Sequence, residues 1–211
     1  MKYRPWGIIL FSRNIKNIYQ LKTLVCEIKD VFSDKNYPIL IDQEGGKVSR
    51  INKIIDLSFF SQYYFSKLYR ENKKVFSNFY EIYITKVCEI LKKTGININT
   101  VPVLDVLTKN SHEVIGTRSF SKNPKLVSKL GKLCINNFHK NKIATVAKHL
   151  PGHGSAIDDS HHKTPFVRAN KNILSKKDFK PFINTKSIFG MTAHVVYSAY
   201  DSINTATHSK S

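Results

Sequence analysis

Four histidines and two aspartates crowd into one short polar stretch, KHLPGHGSAIDDSHHKTP at 148–165, directly after an apolar run. Three readings are open to it. His149, His153, His161 and Asp159 could ligate a metal, although the spacing H-x3-H-x7-H matches neither a helical HExxH site nor a zinc-finger pattern. Asp159 stands two residues before His161, so its carboxylate could hold that imidazole in one tautomer and raise its basicity for acid–base work. The third reading is a polar loop without chemistry. Lys148 and His149, at the end of the apolar run, would be donors to a bound ligand.

Three other stretches carry polar groups of the same kind. In DQEGGKVSR (42–50) a strand end offers Asp42 and Glu44, then a Gly-Gly turn, then Arg50 far enough on to fold back. Only one of these two carboxylates need face a pocket. Carboxylate and guanidinium together suit a polyhydroxyl ligand, because both offer fixed bidentate geometry. Arg118 sits in GTRSF (116–120), and His194 ends GMTAH (190–194), where a packed or hydrogen-bonded histidine inside the mouth is expected.

Positioning these groups falls to alternating short apolar runs and longer periodic segments. GIILF (7–11), YPILIDQ (37–43), ININTVPVLD (96–105), IATVAKH (143–149) and SIFGMTAH (187–194) read as buried strands. Helical spacing appears from Ile15 to Ile28, from Phe79 to Ile90 with Gly95 as C-cap, and from Leu126 to Phe138 behind Pro124. The aromatic stretch LSFFSQYYFSKLY (57–69) reads as a further helix whose rings fill core. Near-continuous apolar strands alternating with helices predict an α/β fold with a parallel sheet. The polar stations at Asp42, Asp105, 149–161 and His194 all follow strands, where α/β folds build their sites. Neither a dinucleotide fingerprint nor a P-loop occurs, and 201–211 reads as a frayed tail.

The chain has 211 residues and a formal net charge of +19, with 41% hydrophobic and 11% aromatic residues. One globular domain fits that length and composition. The basic residues are scattered rather than striped, which argues against a nucleic-acid partner. No apolar run is long enough to span a bilayer and none suits a secretory signal, so no membrane and a cytoplasmic location are expected. Cys26, Cys88 and Cys134 lie far apart in apolar segments and read as buried free thiols.

The blocks GIILFSRN, ILIDQEGGKVSRI, VPVLDV with IGTRSF, AKHLPGHGSAIDDSH and MTAHVVYSAYD together resemble glycoside hydrolase family 3, in particular its bacterial β-N-acetylglucosaminidases of peptidoglycan recycling. The resemblance runs from about residue 7 to about 207. It implies a (β/α)8 barrel and retaining hydrolysis of terminal β-linked N-acetylglucosamine through a glycosyl-enzyme. On that pattern His161 is the acid/base and Asp159 its partner. Asp42, Arg50, Arg118, Lys148 and His149 grip the sugar; His153 belongs to the same loop, and Met191 and His194 line or support the floor. The implied ligand is an N-acetylglucosamine-containing muropeptide, with no cofactor and no metal.

The same pattern puts the nucleophilic aspartate on a seventh strand, beyond MTAHVVY, and a first strand ahead of GIILF. Residues 1–211 are therefore expected to form one family 3 N-terminal-type catalytic domain holding about strands two to six, an incomplete barrel shorter than the roughly 250 residues typical of the fold. The expectation that follows is a chain inactive by itself. It would act as an N-acetylglucosamine-binding remnant, or as half of a split enzyme completed by a separately encoded C-terminal fragment.

Overall fold

The computed structural model describes residues 3–108, 115–156 and 164–210. In chain order its elements are β1 (Ile8–Leu10), α1 (Ile18–Val31), β2 (Ile39–Ile41), α2 (Gln62–Glu71), α3 (Lys73–Thr94), β3 (Ile98–Asn99), α4 (Pro124–Lys140), β4 (Ala144–Leu150), β5 (Phe166–Val167), α5 (Lys171–Lys176), β6 (Phe189–Thr192) and β7 (Val196–Tyr197). A five-stranded sheet runs β1-β2-β3-β4-β6, every neighbour parallel. Register passes across it from Ile8 opposite Ile39, through Leu40 opposite Ile98 and Ile98 opposite Ala144, to Val146 opposite Phe189. The five apolar runs read from the sequence are these five strands, and the α/β incomplete-barrel expectation holds.

Local chemistry explains where the elements start and stop. Asn17, Ser61, Asn72, Asn123 and Asn170 each accept an N–H from the first turn of α1 to α5 respectively, which satisfies donors a helix otherwise leaves orphaned. Pro124 opens α4, where its missing N–H costs nothing. Gly95 closes α3 at φ 82°. The expected strand 96–105 is cut short at Asn99, since Pro102 has no N–H to give a ladder. Beyond it only Val103 bridges to Lys148.

The main core lies between the sheet and α1, α3 and α4, with Ile39, Ile41, Ile84, Leu91 and Leu130 inaccessible to solvent. Half of the aromatic stretch departs from the helical expectation: residues 57–61 lead into α2, and Ser61 caps it. Its rings do fill core. Phe65 lies 4.6 Å from Tyr80 and 4.8 Å from Tyr83, and Phe60 lies 5.6 Å from Phe79.

Two further readings are corrected. Cys26 is exposed on α1, because it follows Val25 on the helix and turns away from the face that buries Leu21 and Val25; Cys88 and Cys134 are buried as expected. The stretch 201–210 folds back rather than fraying. Asp201 accepts the N–H groups of Ile203 and Asn204 in an Asx-type turn, and Ala206 donates to the Val195 carbonyl at 2.8 Å. A small parallel pair, β5 with β7, sits over a second apolar cluster of Ala156, Val167, Leu174, Val195 and Tyr197, which the apolar runs did not signal. Among the described residues no helix is long and apolar enough to cross a membrane.

Candidate functional site

The chain between β2 and α2 shows how a loop can be made as rigid as a strand. Gly45 and Gly46 turn the backbone at φ 87° and 60° just beyond β2. A side chain on Gly45 would come within 2.3 Å of the Phe60 carbonyl, so only glycine fits that crossing. Gln43 then ties the loop from inside. Its Oε1 accepts the backbone N–H of Arg50 at 2.8 Å and of Ile51 at 3.2 Å, and its own backbone is held by Asn99. Arg50 is thereby aimed back at the strand end, where Nη2 meets Asp42 Oδ2 at 2.7 Å.

Asp42 and Glu44 do not point apart. They stand two residues apart, the spacing that places side chains on one face of an extended chain, and both carboxylates converge on Lys148 of β4. Lys148 Nζ is ion-paired with Asp42 Oδ1 and lies 2.6 Å from Glu44 Oε1 and 3.1 Å from Thr100 Oγ1. Those three acceptors match the three N–H bonds of an ammonium. Glu44 also takes both Nε and Nη2 of Arg118 at 2.8 Å, a two-pronged pair of the kind guanidinium favours. Gln62, the first residue of α2, donates to the carbonyls of Val103 and Arg118 and so fixes Arg118 from behind. Glu44 was not singled out for the site from the sequence, and it is the residue that links Arg118 to Lys148.

Asp105, a polar station of the mouth with no role assigned from the sequence, ties the far side of the site together. Fully buried, it accepts His149 Nδ1 on Oδ2 at 2.7 Å, and the backbone N–H groups of His149 and His153 on Oδ1 at 3.2 and 2.7 Å. His153 is buried, and its Nδ1 has no partner among the described residues. Burial lowers its proton affinity, aided by the nearby His149 and Arg118, against the opposing pull of Asp105. Past His153 the loop is pinned again. Ser155 donates to Asp178 through N–H and Oγ at 3.1 and 2.8 Å, and Tyr197 Oη donates to the Gly152 carbonyl at 2.6 Å. Asp159 and His161 lie just beyond this anchored stretch and outside the described residues.

Burial alone would raise the Asp105 carboxyl. The His149 charge and hydrogen bond, with the His153 N–H, outweigh it and bring the group down to about 2. Asp42 is likewise held below the carboxylate range: burial opposes this, but Lys148, Thr100 and Arg50 prevail. A carboxylate with a depressed folded value stabilises the fold fully above its unfolded value of about 3.9, and loses that contribution as pH falls through the folded one. Thermal melts are therefore expected to lose this contribution steeply below about pH 4, Asp105 alone accounting for on the order of 2 kcal/mol, after an earlier and smaller fall as the unfolded chain protonates His153 more readily than the folded one. A melting temperature unchanged at pH 3 would contradict the ion pairing.

These groups surround a cavity of about 480 Å³ at the carboxyl ends of the strands. Asp42, Arg50, Arg118, Lys148, His149, His153, Met191 and His194 all line it, so eight of the ten residues picked from the sequence meet there. His194 is exposed at the rim and hydrogen-bonded, its Nδ1 2.9 Å from Thr207 Oγ1, rather than packed inside. Phe11, beyond β1, lies under the Arg50 guanidinium at 5.4 Å. Among the described residues no group of three histidine, cysteine or acidic side chains could hold a metal ion.

Known proteins share both sequence and architecture. The chain is 35% identical over 212 residues to the β-hexosaminidase A of Pseudoalteromonas piscicida, spanning 95% of this chain and 34% of that protein. It is 33% identical to the β-hexosaminidase of Hydrogenovibrio crunogenus, spanning 93% and 55%. Native NagZ from Neisseria gonorrhoeae superposes with a TM-score of 0.80 at 33% identity, over 94% of this chain and 58% of that one, and has also been solved in complex with N-trifluoroacetyl-D-glucosamine. The chain thus spans between about a third and three fifths of the length of these relatives. The profile of the glycosyl hydrolase family 3 N-terminal domain matches residues 2–211, and with the sheet and the polar mouth now described, the chain belongs to glycosyl hydrolase family 3.

Proposed function

We propose that the mouth binds a terminal β-linked N-acetylglucosamine, as the sugar-gripping half of a β-N-acetylhexosaminidase acting on muropeptides in peptidoglycan recycling. The observation that carries this is the fixed wall of Asp42, Arg50 and Arg118 along a cavity of about 480 Å³, a volume in the range of small-ligand sites. Hydroxyl groups are well served by such charged, pre-oriented donors and acceptors. The relatives named above as β-hexosaminidases, and the glucosamine derivative bound by the Neisseria gonorrhoeae NagZ, support the same ligand class.

In this reading Asp42 accepts from sugar hydroxyls, Arg50 and Arg118 hold the polar wall, and Met191 and His194 shape the rim. Asp159 and His161 supply the proton transfer at the glycosidic oxygen. Retaining hydrolysis also needs a carboxylate free to attack the anomeric carbon. Each carboxylate at the described mouth is already committed: Asp42 to Arg50 and Lys148, Glu44 to Arg118 and Lys148, Asp105 to His149. None of these carboxylates is left to attack, so in this reading the described mouth binds the sugar and a complementing fragment supplies the nucleophile.

Calorimetric titration with N-acetylglucosamine, paired with an aryl β-N-acetylglucosaminide assay, tests both halves. Saturable binding without aryl release is the expected outcome. Release that disappears in His161→Ala would place a working nucleophile within these residues, and an absence of binding would overturn the sugar site.

A further inference from the structure

We propose that Asp105 is a positioning residue, whose single buried carboxylate sets the tautomer of His149 and ties down the start of the loop that leads to Asp159 and His161. Two independent contacts carry this. Oδ2 faces the His149 ring at Nδ1, 2.7 Å away, while Oδ1 receives two backbone N–H groups four residues apart, that of His149 in β4 and that of His153 in the loop after it. An ionised carboxylate can only accept hydrogen bonds, so the proton of a neutral His149 ring must sit on Nδ1. Its Nε2 then carries the lone pair. His149 lines the cavity, so it meets a ligand as an acceptor for a hydroxyl when neutral and as a donor only as imidazolium. From sequence His149 was expected to donate; the carboxylate behind it reverses that role for the neutral ring.

The two oxygens of Asp105 can be separated by substitution. In Asp105→Asn the amide oxygen can keep both backbone N–H groups, because the opposite flip would set the NH₂ against two donors. The NH₂ then replaces Oδ2 and donates to Nδ1, driving the ring to the Nε2–H tautomer. The loop anchor survives while the polarity of His149 toward the ligand inverts. Asp105→Ala removes both functions and leaves two buried N–H groups unpaired.

Ring nitrogen-15 shifts of His149, assigned by their loss in His149→Asn, test this in the unliganded chain above pH 7. Nδ1–H is expected in the wild type and Nε2–H in Asp105→Asn. The variant should still fold, melting several degrees lower for want of the ionised carboxylate, and bind N-acetylglucosamine about tenfold more weakly, the loss of one good hydrogen bond. Nε2–H in the wild type overturns the proposal, even if the variant fails to fold. So does an unchanged tautomer in the variant, or a flipped tautomer with unchanged affinity. The affinity arm rests on the sugar-binding reading and the tautomer arm does not. A wild type that shows Nδ1–H yet binds no sugar would refute that reading and uphold Asp105.

Discussion

Replacing Lys148 with Met is expected to lower folding stability by roughly 3–5 kcal/mol and to abolish binding of N-acetylglucosamine. Lys148 is 1% exposed, and its ammonium group ion-pairs with both Asp42 and Glu44. Methionine keeps the length of the stem but leaves two carboxylates facing each other without the charge between them. Glu44 retains Arg118 and Asp42 retains Arg50, so the expected response is for the pair to move apart and pull both arginines off the cavity wall. Lys140→Met is the control. That lysine pairs with Glu81 in solvent, at 71% and 48% side-chain exposure, and its loss should cost at most about 1 kcal/mol. Urea denaturation of the two variants side by side measures the contrast. Equal effects would show that burial of Lys148 does not govern its contribution.

The second large effect is expected from Gly154→Ala. A methyl group there would sit 1.9 Å from the Val106 carbonyl oxygen and within 2.8 Å of two more Val106 backbone atoms. Backbone cannot swing aside as a side chain can, so either the loop or the segment after β3 must shift. Val106 directly follows Asp105, and Gly154 directly follows His153, so the shift opens the spacing that Asp105 holds. Overpacking of this kind costs about 1–3 kcal/mol, and loss of the Asp105 contacts adds to it. Thermal melts and calorimetric titration should show both a lower melting temperature and weakened sugar binding. A variant with wild-type stability and affinity would mean that the loop tolerates displacement, against the tight anchoring described.

Much of this was legible in the sequence, because the signals were local. Asparagine and serine caps, Pro124, Gly95 and the apolar runs each act through near neighbours, and they mark the strands and helices to within a few residues. Strand ends then bring Asp42, Lys148, His149 and His194 to one mouth without any knowledge of side-chain direction. What was not legible depended on where the chain turns. Glu44 joins the site through Arg118 and Lys148, partners that lie on distant parts of the chain. Asp105 matters through a contact 44 residues away in sequence, which only the pairing of the segment after β3 with β4 creates. The 201–210 segment is ordered by the Asp201 side chain and by a return to Val195, and polar composition alone gives no sign of either.

Titration of nitrogen-15-labelled chain with N-acetylglucosamine, followed by amide and side-chain NMR, tests the sugar-gripping mouth most directly. Saturable shifts are expected at Asp42, Arg50, Arg118, His149 and His153, with α1 unaffected. The absence of saturable shifts would contradict the account, as would shifts centred instead on Phe179, Tyr197 and Tyr200, which line a separate cavity of about 280 Å³.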